Sequence, residues 1–204
     1  MNYEIILATH NQDKIKEFKS FFEDYTVTFL TLADIKLKIP FKETGRTFLD
    51  NALLKAKAAS KHVNKTVIAE DSGLQIDALK GFPGIYSARW LEEKSYQEKN
   101  QEILRLMAIH KNRKAQFTCA MVMLYPNQEL RFFVGTAVGK ITKDISTGTQ
   151  GFGYDPIFLS EDLQKTFADV SLAEKTMVSH RGKALEKLRQ CLLDKHLITK
   201  VKRR

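Results

Sequence analysis

Glu70 and Asp71 stand side by side after the apolar run Val67-Ile68-Ala69, and Ser72-Gly73 follow them. Val and Ile favour extended chain, so the run reads as a strand that stops at two carboxylates, with Gly73 letting the backbone turn. Carboxylates so placed suit a hard divalent cation such as Mg²⁺, which takes one or two protein carboxylates and completes its octahedron with water and substrate phosphates. Neighbouring side chains of a strand point to opposite faces, so one carboxylate can meet the metal while the other orients water or supports it. A plain surface turn of the Asp-Ser-Gly kind fits the same residues, and both readings stand.

Further groups suit phosphate. Thr9-His10-Asn11-Gln12-Asp13-Lys14 lies at a strand-to-helix junction, where free backbone N–H groups and the positive end of the helix dipole attract anions. Thr9 and Asn11 add hydrogen-bonding groups and Lys14 a charge; the alternative is that Asn11 caps the helix and Lys14 is solvated. The glycines of a Walker A loop are missing. Glu43 precedes a second helix, as a capping carboxylate or a metal ligand. Lys55 follows Asn51 by one turn and points toward a phosphate or into solvent.

Phe152 and Tyr154 are interleaved with Gly151 and Gly153 and followed by Asp155-Pro156. Aromatic rings on such a loop stack on a base, with Asp155 reading a ring N–H, or else one ring packs into the core. Ser179-His180-Arg181 opens a late helix and offers donors to carbonyl or phosphate oxygens. His10, His62, His110 and His196 read as structural or solvent-facing, and no Ser-His-Asp spacing points to a covalent nucleophile.

These residues need elements to hold them. Residues 3–8 and 25–30 read as strands, with a helix over 13–23 that sets Ile15, Phe18 and Phe22 on one face. Residues 47–63 form a helix with the stripe Phe48, Ala52, Ala56, Ala59 and Val63. The strand ending at Glu70-Asp71 comes next, then another over 74–79, a turn at 81–84 and a helix over 96–109. Residues 115–125 and 129–138 read as an antiparallel pair, 146–156 as a Gly-rich loop, and 181–196 as a closing helix. Mixed βα units and a hairpin predict an α/β fold with a mixed sheet.

Composition narrows the class. The chain has 204 residues, 43% of them hydrophobic and 28% charged, as in an ordinary globular protein. It lacks an apolar run of the roughly 18 residues that a membrane span needs, and its N-terminus does not read as a secretory signal, so cytoplasm is expected. Cys119 and Cys191 have no metal-type spacing and read as buried thiols. The formal charge of +9 favours polyanionic ligands, and Lys200, Lys202, Arg203 and Arg204 read as a solvated tail or a weak phosphate-attracting one.

Seven blocks in order give the chain a clear resemblance. They are Leu7-Ala8-Thr9-His10-Asn11 with Lys14, Glu43-Thr44-Gly45, Asn51 to Ala56, Glu70 to Leu74, Gly84 to Arg89, Gly151 to Pro156, and Ser179 to Leu185. From about residue 5 to residue 190 the chain resembles the inosine triphosphate pyrophosphatase family, also called dITP/XTP pyrophosphatases. The resemblance implies a long central mixed β-sheet flanked by helices, with two lobes and an active-site cleft between them. One such domain is expected over residues 1–196, with a basic tail over 197–204.

It further implies an enzyme that uses Mg²⁺ to hydrolyse ITP, dITP and XTP to the nucleoside monophosphate and pyrophosphate, clearing deaminated purines from the nucleotide pool. Asp71 would be the general base and, with Glu43, a metal ligand, with Glu70 in support. Thr9, Asn11, Lys14 and Lys55 would hold the phosphates, and Ser72 would touch substrate. Phe152 would stack on the purine, with Gly153, Tyr154, Asp155, Lys175, His180 and Arg181 completing the base pocket. The expected partners are nucleoside triphosphates and a second copy of the chain, without membrane or specific nucleic acid. His10 stands where many relatives carry Gly, and Glu70 where many carry Asp. The competing expectations are a Maf-type pyrophosphatase acting on modified pyrimidines and a non-catalytic basic module that binds nucleic acid.

Overall fold

A computed structural model describes residues 3–201. The elements run β1 Tyr3–Leu7, α1 Gln12–Phe21, β2 Val27–Thr31, α2 Phe48–Ser60, β3 Thr66–Ile76, β4 Phe82–Pro83, α3 Tyr96–Met107, β5 Lys114–Leu124, β6 Leu130–Ile141, β7 Phe158–Ser160, α4 Leu172–Val178 and α5 His180–Asp194. Seven strands form one sheet in the order β2-β1-β3-β5-β6-β7, with β4 on β3. β1 pairs in parallel with β2 and β3, while β4 and β7 run antiparallel to β3 and β6. The sheet is mixed and the fold α/β, as the residue pattern predicts.

The chain divides into two compact units. One comprises residues 1–71, 120–134 and 184–204, the other residues 72–119 and 135–183. In the first, the small residues Ala52, Ala56 and Ala59 of α2 pack with Ile6, Ala8, Val67 and Ala69. Their size brings the helix close to β1 and β3, and α2 starts cleanly because Thr47 and Asp50 form a reciprocal capping box. In the second unit Leu74, Ile76, Ile103, Phe117, Tyr154, Phe158 and Phe167 make the core.

Two expectations need correction. The chain does not turn at Asp71-Ser72-Gly73: β3 continues unbroken to Ile76, and residues 77–79 are a short 3-10 turn rather than strand. The extended path is favoured because Leu74 and Ile76 are fully buried, while the Leu74 N–H donates to Ser87 Oγ at 3.0 Å. The C-terminal segment is docked through its main chain as far as Val201, while the Lys200 and Val201 side chains stay exposed as a solvated tail would have them. The Thr26 N–H donates to the Thr199 carbonyl at 2.9 Å, the Val201 N–H donates to the Asp24 carbonyl at 2.7 Å, and Ile198 is 2% exposed. A buried isoleucine and a short ladder of main-chain bonds outweigh the solvation of Lys200. Lys202, Arg203 and Arg204 lie outside the described residues. Cys119 is buried as expected, but Cys191 is only half-buried.

Docking of this segment has a measurable consequence. Ile198→Ala should lower the free energy of unfolding by about 2–5 kcal/mol in urea titrations, as for other buried aliphatic truncations. A change below about 0.5 kcal/mol, typical of surface positions, would return the segment to solvent.

Candidate active site

In the first unit, the tip of β1 leads into α1 through Thr9 and Asn11. Asn11 is the helix cap, accepting the Lys14 N–H at 3.1 Å, and its own N–H donates to Thr9 Oγ1 at 3.2 Å. The capping role left open by the sequence is thus filled by Asn11. Lys14, by contrast, is not solvated: its Nζ lies 2.8 Å from Glu70 Oε1, and the Glu70 side chain is 1% exposed.

Asp71, next along β3, meets a different set of groups. Lys55 Nζ donates to Asp71 Oδ1 at 3.1 Å and to Glu43 Oε1 at 2.9 Å, and Asn51 Nδ2 donates to Asp71 Oδ2 at 2.9 Å. Asn51 and Lys55 are four residues apart on α2, so they share a face and reach the carboxylate together. Asn51 Oδ1 in turn accepts the Gly45 N–H at 2.8 Å, which fixes the loop carrying Glu43. Glu43 therefore serves this cluster and not the helix end, where Thr47 and Asp50 supply the cap. Glu70 and Asp71 go to separate lysines, as the strand pleat requires.

Among the described residues, no group of three or more His, Cys, Asp and Glu side chains is set to hold a metal ion. Mg²⁺ does not need one, since one or two carboxylates with water and phosphate suffice. Glu43 and Asp71 fit that demand, because they already converge on one cation, the Lys55 ammonium.

In the second unit, residues 151–155 form a tight loop. Asp155 Oδ2 accepts the Phe152 N–H at 2.8 Å and Lys175 Nζ at 2.7 Å. Gly151 has φ +73°, and a Cβ there would fall 2.2 Å from Asp155 Oδ2, so only glycine permits this turn. The half-exposed Phe152 ring has Lys175 Nζ at 4.8 Å and Arg181 Cζ at 5.6 Å from its centroid. Arg181, 1% exposed, donates from Nη2 to Ser72 Oγ at 3.0 Å. Phe152, Asp155, Lys175, Arg181 and Ser72 are thus brought together.

Tyr154 and His180 pack against core aromatic and apolar groups. The Tyr154 ring packs in the core, and its hydroxyl donates to the Ser87 carbonyl at 2.9 Å. Burial pushes the phenol well above its usual pKa, which keeps that donor protonated. His180 stacks on Phe117, with centroids 4.7 Å apart and planes within 13°.

The comparisons with known proteins agree. A sequence profile of the Ham1 family matches residues 5–191. The chain belongs to the Ham1 family. A dITP/XTP pyrophosphatase of Staphylococcus aureus (strain MRSA252) is 45% identical over 186 residues, covering 91% of this chain and 94% of that protein. The structure of the Staphylococcus aureus Ham1 protein superposes with a TM-score of 0.84 at 42% identity, covering 94% of this chain and 99% of that one. A HAM1 protein from Coxiella burnetii gives a TM-score of 0.86 at 34% identity, with the same coverage.

Two residues of this Ham1 chain escaped the sequence reading. Asn51, fully buried, was legible only as an amide inside the apolar stripe of α2. Asn100 is its counterpart on α3, 2% exposed, donating from Nδ2 to the Gly153 carbonyl at 3.1 Å. The helix α4 that carries Lys175 was also missed, although Ser171 and Glu174 spell its capping box. Within the first turn of α5, a Cβ on Gly182 would lie 1.7 Å from the Thr176 carbonyl oxygen, so only glycine fits against α4 there.

Asn51→Ala should cost about 1.5–3 kcal/mol of stability, the usual worth of a hydrogen bond to a charged group. Urea titration of both proteins measures it, and an unchanged midpoint would mean that water replaces the amide at no cost.

Proposed function

We propose that this protein hydrolyses deaminated purine nucleoside triphosphates (ITP, dITP and XTP) to the monophosphate and pyrophosphate, with Mg²⁺. The observation that carries the reading is the convergence of Glu43 and Asp71 on one cation, at 2.9 and 3.1 Å from Lys55 Nζ. The substrate class follows from the relatives named dITP/XTP pyrophosphatase.

Glu43 and Asp71 would hold Mg²⁺, which offsets triphosphate charge and polarises the phosphoryl oxygens. Asp71 accepts the proton of the attacking water, an effect typically worth about 10²–10⁴-fold in rate. The bond between the α-phosphorus and β-phosphorus groups breaks, and pyrophosphate leaves. Asn51 keeps the Asp71 carboxylate oriented, while Lys14, Lys55, Thr9 and the α1 N-terminus take phosphate oxygens, with Asn11 capping that terminus. Glu70 supports the cluster by holding Lys14.

Phe152 offers its ring to the base, and Gly153 its main chain. Lys175 and Arg181 can only donate hydrogen bonds, which suits the 6-oxo acceptor of hypoxanthine and xanthine and opposes the 6-amino donor of adenine. A site built on hydrogen bonds discriminates strongly, because the wrong base leaves buried donors unmet. Asp155 holds the loop, Tyr154 and His180 support it from the core, and Ser72 touches substrate beside Arg181. A homodimer in the cytoplasm completes the reading. No helix among the described residues is long and apolar enough to cross a membrane.

Pyrophosphate release from dITP, XTP, dATP, dGTP and dCTP, with Mg²⁺ and with EDTA, tests the whole reading. Release from dITP and XTP that EDTA abolishes is expected; release chiefly from dCTP would overturn the base assignment. Asp71→Asn should abolish turnover while nucleotide binding persists, and activity within tenfold of the parent would remove Asp71 as the base. Phe152→Ala should raise KM by the equivalent of about 1–3 kcal/mol, the worth of base stacking on an aromatic ring. An unchanged KM would take the ring out of the base site.

A further inference from the structure

We propose that Lys55 holds the metal's place in the nucleotide-free enzyme. Its ammonium sits between Glu43 and Asp71 until Mg²⁺ arrives with a triphosphate, and it then moves to the phosphates. This rests on the Mg²⁺ reading above and adds to it a coupling of metal binding to nucleotide binding.

Three observations carry it. Lys55 Nζ is held by the same two carboxylates that suit the metal, at 2.9 and 3.1 Å, and the residue is only 6% exposed. Both cations need those oxygens, so they cannot share them without close like-charge repulsion. Second, Asn51 holds Asp71 Oδ2 independently of Lys55. When the ammonium leaves, the carboxylate keeps its orientation and presents Oδ1, the atom that had accepted the hydrogen bond from Lys55. Third, the Lys55 stem has four rotatable carbons above a helix anchored by Ala52, Ala56 and Ala59, so the charge can swing while α2 stays still.

Charge balance sets the order. While the Lys55 ammonium sits between Glu43 and Asp71 it offsets part of their negative charge, which weakens the pull on a divalent cation. A triphosphate brings the missing negative charge and gives the displaced ammonium somewhere to go. Lys55 thus couples metal entry to nucleotide entry, and the empty enzyme does not fill with metal alone.

Mn²⁺ binding, read by the loss of the free-ion electron paramagnetic resonance signal, tests this in the nucleotide-free protein. Lys55→Met and Lys55→Gln should bind Mn²⁺ at least about tenfold more tightly than the parent, since the competing charge is gone. Lys55→Arg, which keeps the charge, should bind as weakly as the parent. Mn²⁺ should also raise the melting temperature of the Met and Gln variants more than that of the parent, which reports even where the unliganded variant is destabilised. The same titration is repeated on the parent with an α,β-methylene analogue of dITP. If the parent takes up Mn²⁺ only with the analogue, and the Met and Gln variants gain nothing without it, Lys55 does not hold the metal's place and the Mg²⁺ reading survives. If the parent takes up no Mn²⁺ even with the analogue, both readings fall together.

Discussion

Asp71 is a buried carboxylate in the middle of a long strand, and the surrounding structure answers the cost of keeping it there. Removing an ionised carboxylate from water costs several kcal/mol unless a cation and further donors replace the lost hydration. Here one ammonium and one amide do so, at 3.1 and 2.9 Å. Removing one member of such a buried pair typically costs about 3–5 kcal/mol. The Asp71 charge is therefore a constraint on folding, and it dictates what α2 must carry.

That helix meets two demands at once. Its alanines let it lie close to β1 and β3, which brings the Asn51 and Lys55 stems within reach of a strand side chain. Larger apolar residues at Ala52 or Ala56 would push the helix away and strand Asp71 without donors. Gly45 and Glu43 are drawn into the same network through Asn51 Oδ1, so a loop without regular structure is held by the side chain that orients the carboxylate. The second unit solves its loop the same way: Asp155 receives both the Phe152 N–H and the Lys175 ammonium, and Asn100 holds the Gly153 carbonyl. In each unit a buried amide on a helix fixes the backbone of a loop that carries candidate site residues.

Much of this was legible in the sequence. The apolar stripes gave the helices, and the mixture of βα units with a hairpin gave the mixed sheet. The carboxylates, lysines and Phe152 marked residues that gather in one cluster within each unit. The path of β3 was not legible, because Asp-Ser-Gly has turn chemistry and only burial of Leu74 and Ile76, with the Ser87 hydroxyl on the Leu74 N–H, keeps it extended. Local propensity yielded to tertiary contacts there. The amides of Asn51 and Asn100 were equally hidden, since a polar residue on an apolar helix face reveals its purpose only when its acceptor or donor is known. The docking of the C-terminus was hidden for a related reason: Lys200 is exposed, as its charge predicts, while the anchoring is done by Ile198 and the main chain.

Glu70 and His10 both lie near the Asp71 cluster without joining it. Glu70 lies on the face of β3 opposite Asp71 and reaches Lys14 at 2.8 Å, so its extra methylene lengthens a carboxylate that does not belong to the Glu43–Asp71–Lys55 set. A longer side chain at Asp71 itself would have to displace Lys55 or Asn51. The His10 Nε2 is 2.9 Å from the Ile39 carbonyl, and its ring lies 5.3 Å from that of Phe41. It ties the loop ahead of Glu43 to the β1–α1 junction, a link that glycine at the same position lacks. The strand pleat directs Glu70, and the Ile39 carbonyl holds His10, outside the set of groups that surrounds the Asp71 carboxylate.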